Sequence, residues 1–181
     1  MYASRGNSMV FSGNETLRLH GQALCASLQR DSDVHLVLDA PWGYALLTLA
    51  SLPRPVVVVT GVGSASYLRD LLELEPEGLL ARPAGPQDVL NALARVARGE
   101  CFYEGPLVDD GLQPCERAVL REVAFGMENS EIAKKLHISP RTVENRLVAL
   151  REKLGLRNRV ELALYYLGMN PRLWVCREPT L

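Results

Sequence analysis

Between Arg141 and Val148 lies a run of side chains whose types suit the edges and backbone of a duplex. Arg141, Thr142 and Arg146 carry donors of the kind that hold phosphate oxygens. Asn145 can bond a base edge through both ends of its amide, and Val148 can lie against a thymine methyl. Chemistry of that sort needs a rigid support that presents these groups on one side. The flanking residues supply one. Ser139-Pro140 is a helix start, because serine accepts from the orphan amides and proline at the first position has no N–H to lose. Val143, Leu147, Leu150 and Leu154 then recur at spacings of 4, 3 and 4, one apolar stripe on a helix. Arg141, Asn145 and Val148 fall opposite the stripe, with Glu144 on one flank and Thr142 and Arg146 on the other. Gly155 marks the stop.

Before this helix, Ile132, Ala133 and Leu136 pattern a short one, which Ser130 or Asn129 can cap, and His137-Ile138 turn the chain. An amphipathic helix with a merely solvated polar face remains the alternative. The short preceding helix, tight turn and Ser-Pro start favour helix-turn-helix.

From Leu112 to Met169 the chain resembles the LuxR/NarL-type helix-turn-helix domain of bacterial transcription regulators. The matching residues are Leu112-Gln113-Pro114-Cys115-Glu116, then Gly126, Asn129, Glu131, Ile132 and Ala133, then Ile138, Ser139, Thr142 and Val143, and finally Lys153-Leu154-Gly155. Arg159 and Ala163 fall in the family's last helix. The resemblance implies four helices, roughly Pro114–Phe125, Glu131–Leu136, Pro140–Leu154 and Val160–Leu167. It implies that Glu144, Asn145 and Val148 face bases, with Arg141, Thr142 and Arg146 nearer phosphates. It further implies dimerisation through the last helix, where Leu162, Ala163 and Tyr166 form an apolar face, although ordinary core packing also claims Leu162 and Tyr166. Two departures stand out. Gln113 replaces the usual capping threonine, expected to weaken that helix start by about 1 kcal/mol. Glu144 stands where lysine is common, which favours cytosine N4 over guanine as its target.

At 181 residues and 48% hydrophobic, the chain holds one medium domain or two small ones. Its net charge of −1 points to no partner, but the halves differ. Residues 1–111 carry eight basic and thirteen acidic side chains, a balance of −5, and residues 112–181 carry twelve and eight, a balance of +4. The basic half is the one with the candidate recognition helix. No apolar run approaches the roughly 18–20 residues that span a bilayer, and the first residues lack the apolar core of a signal peptide, so a cytoplasmic location is expected. The four cysteines, Cys25, Cys101, Cys115 and Cys176, and the three histidines are scattered, so neither a metal nor a cofactor is expected.

In the first half, Met9–Ser12, Val34–Leu38, Val56–Thr60 and Gly78–Ala81 read as buried strands, with helical patterns at Thr16–Leu28, Tyr44–Leu52, Ala65–Leu74 and Gln87–Arg98. Alternating strands and helices mean an α/β module with a parallel sheet. Sites in such sheets lie beyond the carboxyl ends of the strands, here Ser12, Gly13, Asp39, Thr60 and Arg82. The layout resembles the receiver domain of response regulators, with Thr60 at the family's hydroxyl position, Arg82 in place of its lysine, and Asp39 at the phosphoacceptor. A receiver places two acidic residues after its first strand to hold Mg²⁺, and Ser12-Gly13 stand there instead. One carboxylate is a poor Mg²⁺ ligand set. Four strands are counted where a receiver has five, so one strand-helix unit near Val34–Leu38 is missing. The expectation is a shortened, degenerate receiver in which Arg82 pairs with Asp39 and Thr60 is satisfied locally.

The organisation expected is therefore a receiver-like domain at 1–100, a linker at 101–111 with Asp109-Asp110 in a solvated loop, a helix-turn-helix domain at 112–170 and an apolar tail at 171–181. The leading function is a dimeric transcription regulator on double-stranded DNA, with RNA polymerase as a further partner and no membrane. The alternatives are a conventional regulator phosphorylated at Asp39 and a protein-binding module that has lost DNA. No nucleophile–base pair, metal cluster or phosphate loop points to an enzyme.

Overall fold

The computed structural model describes residues 8–26, 33–107 and 109–169. These divide into two compact units, one drawn from Met1–Gly63 and Leu68–Leu107, the other from Ser64–Tyr67 and Val108–Leu181. The expected apolar tail at 171–181, with Cys176, lies outside the described residues.

The first unit is a parallel sheet of five strands: β1 (Val10–Phe11), β2 (His35–Leu38), β3 (Val56–Val59), β4 (Gly78–Leu80) and β5 (Phe102–Glu104). They pair in the order of the chain, each parallel to the next. Interleaved are α1 (Glu15–Ala26), α2 (Tyr44–Thr48) with a 3-10 turn at Leu49–Ser51, α3 (Ala65–Leu72) and α4 (Pro86–Ala97). Side chains alternate across a strand, so Leu36, Val57 and Leu80 share one face and pack with Val89, Ala92, Leu93 and Val96 of α4. Val37, Val58 and Leu79 point to the other face and are fully buried as well, as a parallel sheet covered on both sides requires.

The count of four strands is corrected to five. Phe102–Glu104, assigned above to a linker, pairs with β4 in the register Gly78↔Phe102, Leu79↔Tyr103 and Leu80↔Glu104. A Cβ on Gly78 would lie 2.8 Å from the Phe102 ring, so the missing side chain is what lets that ring seat.

The second unit holds α5 (Pro114–Ala124), α6 (Asn129–Lys135), α7 (Pro140–Leu154) and α8 (Arg159–Tyr166). Its core is Val119, Leu120, Val123, Ile132, Val143, Leu150, Leu162 and Tyr166, with the Tyr166 ring edge-on to Phe125 at 6.4 Å. Asp110 is not in a solvated loop. Its carboxylate is buried 4.0 Å from the buried guanidinium of Arg117, and it accepts from the Leu112 amide.

Candidate nucleic-acid interface

Local chemistry builds the bihelical element. The cap of α6 is Glu128, not Ser130 or Asn129, and Asn129 is the first helical residue. The acid three residues on decides this, because the Glu131 carboxylate accepts from the Glu128 amide at 2.7 Å. Gln113 caps α5 without a side-chain bond, while Glu116 accepts from its amide at 2.8 Å. Between α6 and α7, His137 takes a left-handed φ of 53° to close the turn. Ser139 then caps α7 as its composition requires, its hydroxyl accepting from the Thr142 amide at 3.0 Å, and Gly155 ends it at φ 65°.

Burial orients α7. Val143, Leu147 and Leu150 face the core, which turns the polar residues outward. The Arg141 side chain is 80% exposed and that of Glu144 52%, and the two form an ion pair at 3.3 Å. Asn145 is exposed and Val148 is 43% exposed. Thr142 and Arg146 are half-buried at the flanks, the Thr142 hydroxyl lying 2.8 Å from that of Ser139. Arg141, Glu144, Asn145 and Val148 line an open concavity of about 420 Å³ together with Asn129 and Arg159. Arg159 donates to the Asn129 side chain at 2.8 Å and to the Met127 carbonyl, fixing the start of α6 against α8. The motif match placed Arg159 in the last helix but gave no sign of this clamp, whose partners lie about thirty positions earlier.

Much of the unit's charge is consumed internally. Lys135 meets the buried carboxylate of Glu122 at 2.8 Å, Lys153 meets Glu116 at 2.8 Å, and Arg157 meets Glu161 at 2.6 Å. The Lys153 ammonium, with the Gln113 amide, holds the Glu116 carboxyl below the usual carboxylate range. Burial of Leu162 (1% exposed) and Tyr166 (0%) corrects their expected role in dimerisation, because neither can meet a partner without leaving the core. Ala163 is half-buried, and Val160, on the same helix, is 66% exposed.

The strand-end residues of the first unit are partly brought together. Asp39 is buried, with Oδ1 accepting from the Ala45 amide at 3.0 Å and Oδ2 from the Thr60 hydroxyl at 2.7 Å. Thr60 is thus not satisfied locally alone, although its oxygen also accepts from the Val62 amide. Ser12 donates to the Ala40 carbonyl at 3.0 Å, and Gly13 lies so close to Pro41 that a Cβ would approach to 2.8 Å. Arg82 does not take Asp39 as its ion-pair partner. Its guanidinium bonds Asp88 at 3.0 Å and Glu104 at 3.0 Å, and it holds both carboxyls below their usual range. The reason is the unforeseen strand, since β5 puts Glu104 beside it. Among the described residues no cluster of three or more His, Cys, Asp or Glu side chains could hold a metal ion.

Two helices joined by a tight turn, the second with its polar side outward, define a helix-turn-helix domain. Residues 110–166 match the family described as bacterial regulatory proteins, luxR family, and form a helix-turn-helix domain of that family. Over 139 residues the chain is 30% identical to the transcriptional regulatory protein UhpA of Escherichia coli (strain K12), covering 73% of this chain and 66% of that protein. It is 31% identical over 122 residues to the transcriptional regulatory protein RcsB of the same strain, covering 61% of this chain and 56% of that protein. The matches thus span about two thirds or less of these relatives' length. The fold resembles that of RcsB from Salmonella enterica serovar Typhimurium, solved bound to promoter rprA in the presence of the phosphomimetic BeF3-. The TM-score is 0.61 at 21% identity, over 89% of this chain and 98% of that one. Among the described residues no helix is long and apolar enough to cross a membrane.

Proposed function

We propose that the chain is a transcription regulator that binds double-stranded DNA as a homodimer, and that its N-terminal unit is a shortened receiver-like module working without phosphorylation. The observation that carries the first part is the orientation of α7. Its apolar stripe is buried and Arg141, Glu144, Asn145 and Val148 are left outward on a helix capped at both ends. In this reading Glu144, Asn145 and Val148 meet base edges, and Arg141, Thr142 and Arg146 hold the phosphates on either side. Dimerisation runs through the outer face of α8, where Ala163 is flanked by exposed Val160 and half-buried Leu164 and Leu167. RNA polymerase is the further partner that such a regulator engages, and the cytoplasm, where a bacterial chromosome lies, is its compartment.

Two features support the second part. Asp39 spends its oxygens on Ala45 and Thr60, and Arg82 spends its guanidinium on Asp88 and Glu104. Among the described residues the strand order also lacks the reversal at which doubly wound sheets bind ligands. A receiver sheet ordered 2-1-3-4-5 that lost its second strand and the helix with it would read in chain order, as β1 to β4 do here.

Selection of binding sites from a random duplex pool tests the function, with enrichment of paired half-sites about 34 Å apart or a multiple of it as the expected result. Enrichment of nothing would overturn it. Incubation with a small phosphodonor and Mg²⁺, followed by intact mass measurement, is expected to leave the mass unchanged. A gain of one phosphoryl group, lost in Asp39→Asn, would establish the conventional switch.

A further inference from the structure

We propose that Glu144, held by Arg141 in the unbound chain, makes recognition conditional on a cytosine amino group in the major groove and so sets sequence selectivity; this rests on the duplex-binding reading above. Glu144 is the one acidic residue in the first two turns of α7, and it lines the same concavity as Asn145 and Val148. Its carboxylate meets the Arg141 guanidinium at 3.3 Å, with both side chains more than half exposed. An exposed pair of this kind is weak, so it opens readily when a phosphate draws Arg141 away. The carboxylate is then left facing the groove without its counter-charge.

What it meets there decides the outcome. Guanine and thymine present only acceptors at the major-groove edge, and these repel a carboxylate. Cytosine presents the N4 amino donor, and adenine pairs its donor with the N7 acceptor, the pattern that suits the neighbouring Asn145. A duplex with guanine or thymine at the Glu144 position therefore leaves a desolvated, unpaired charge, and adenine offers the carboxylate its donor only beside a repelling N7. Lys135, Lys153 and Arg157 are paired with Glu122, Glu116 and Glu161, which lowers the general attraction available to mask that penalty.

The test selects sites from a random duplex pool with the full chain, with Glu144→Gln and with Arg141→Gln, and then titrates salt on the selected and unselected duplexes. The wild type is expected to enrich one invariant C·G pair, replacement of which weakens binding by about 5- to 100-fold. In Glu144→Gln that position becomes degenerate and binding to unselected duplex strengthens, while the slope of log K against log salt stays as in the wild type because Arg141 holds its phosphate in both complexes. In Arg141→Gln the slope falls by about 0.9 while the C·G preference survives. If Glu144→Gln enriches the same base at every position as the wild type, the assignment is overturned. If the wild type enriches no sequence at all, the failure belongs to the duplex-binding reading itself.

Discussion

The strand-end site around Asp39 and the outer face of α7 hold similar functional groups put to opposite uses. Around Asp39, polar atoms satisfy one another: the carboxylate takes the Thr60 hydroxyl and the Ala45 amide, and Arg82 is forked between Asp88 and Glu104. On α7 the outward Arg141 and Glu144 form an exposed ion pair, which gives way easily. A buried group that is fully engaged contributes to stability and resists exchange, whereas an exposed group on a rigid helix is available to a ligand. The two sites therefore respond differently to substitution.

The largest effect is expected from Leu150→Ala, which empties a fully buried position beneath the α7 face. The second unit should lose about 2–5 kcal/mol, read by urea unfolding. Duplex binding should fall with it, although no outward residue is changed. Next comes Asn145→Ala, expected to leave the fold intact and relax one operator position by about 1–3 kcal/mol in a competition assay. Uniform loss over all sequences would instead mark Asn145 as a phosphate contact. In the first unit, Thr60→Val strips a donor from the buried Asp39 carboxylate and should cost about 1–3 kcal/mol of that unit's stability. Operator preferences should stay as in the wild type. Ser139→Ala removes the cap of α7 and should cost about 1 kcal/mol, seen as a lower urea midpoint.

Mild acid separates the two units more gently. Burial lowers the pKa of His35 from its ordinary 6.5, against the opposing pull of Asp33, and its Nδ1 accepts from the Met9 amide. A base whose folded pKa is lowered keeps its full contribution above the unfolded value and loses it as pH falls below about 6.5. Glu116 is lowered by Lys153 from 4.5, so its contribution persists above that value and goes only as pH falls below it. Between these limits the first unit should weaken and the second should not, a difference that unit-resolved amide NMR during urea titration would register. His35→Gln should remove the slope in the first unit.

Features set by a few neighbouring residues were legible in the sequence. Ser139-Pro140 and Gly155 bound α7 at the positions read from them, because capping is a matter of one side chain and its next amides. The buried stripe and the outward Arg141 and Asn145 followed from a 3.6-residue period. Pairing between distant residues was not legible. Phe102–Glu104 is three residues long and exists as a strand only through β4, so nothing local distinguished it from a linker, and without it the partner of Arg82 could not be foreseen. Leu162 and Tyr166 were legible as apolar, but whether an apolar face meets a core or a partner depends on the contact of α8 with α5.

The most direct measurement is fluorescence anisotropy of the full chain on a duplex enriched from a random pool, followed across a salt series with and without a small phosphodonor and Mg²⁺. The result expected is selective binding that weakens with salt, changes at one position in Asn145→Ala, and is the same with the phosphodonor as without it. Binding that ignores sequence in the wild type, or that appears only after phosphoryl transfer to Asp39, would contradict it.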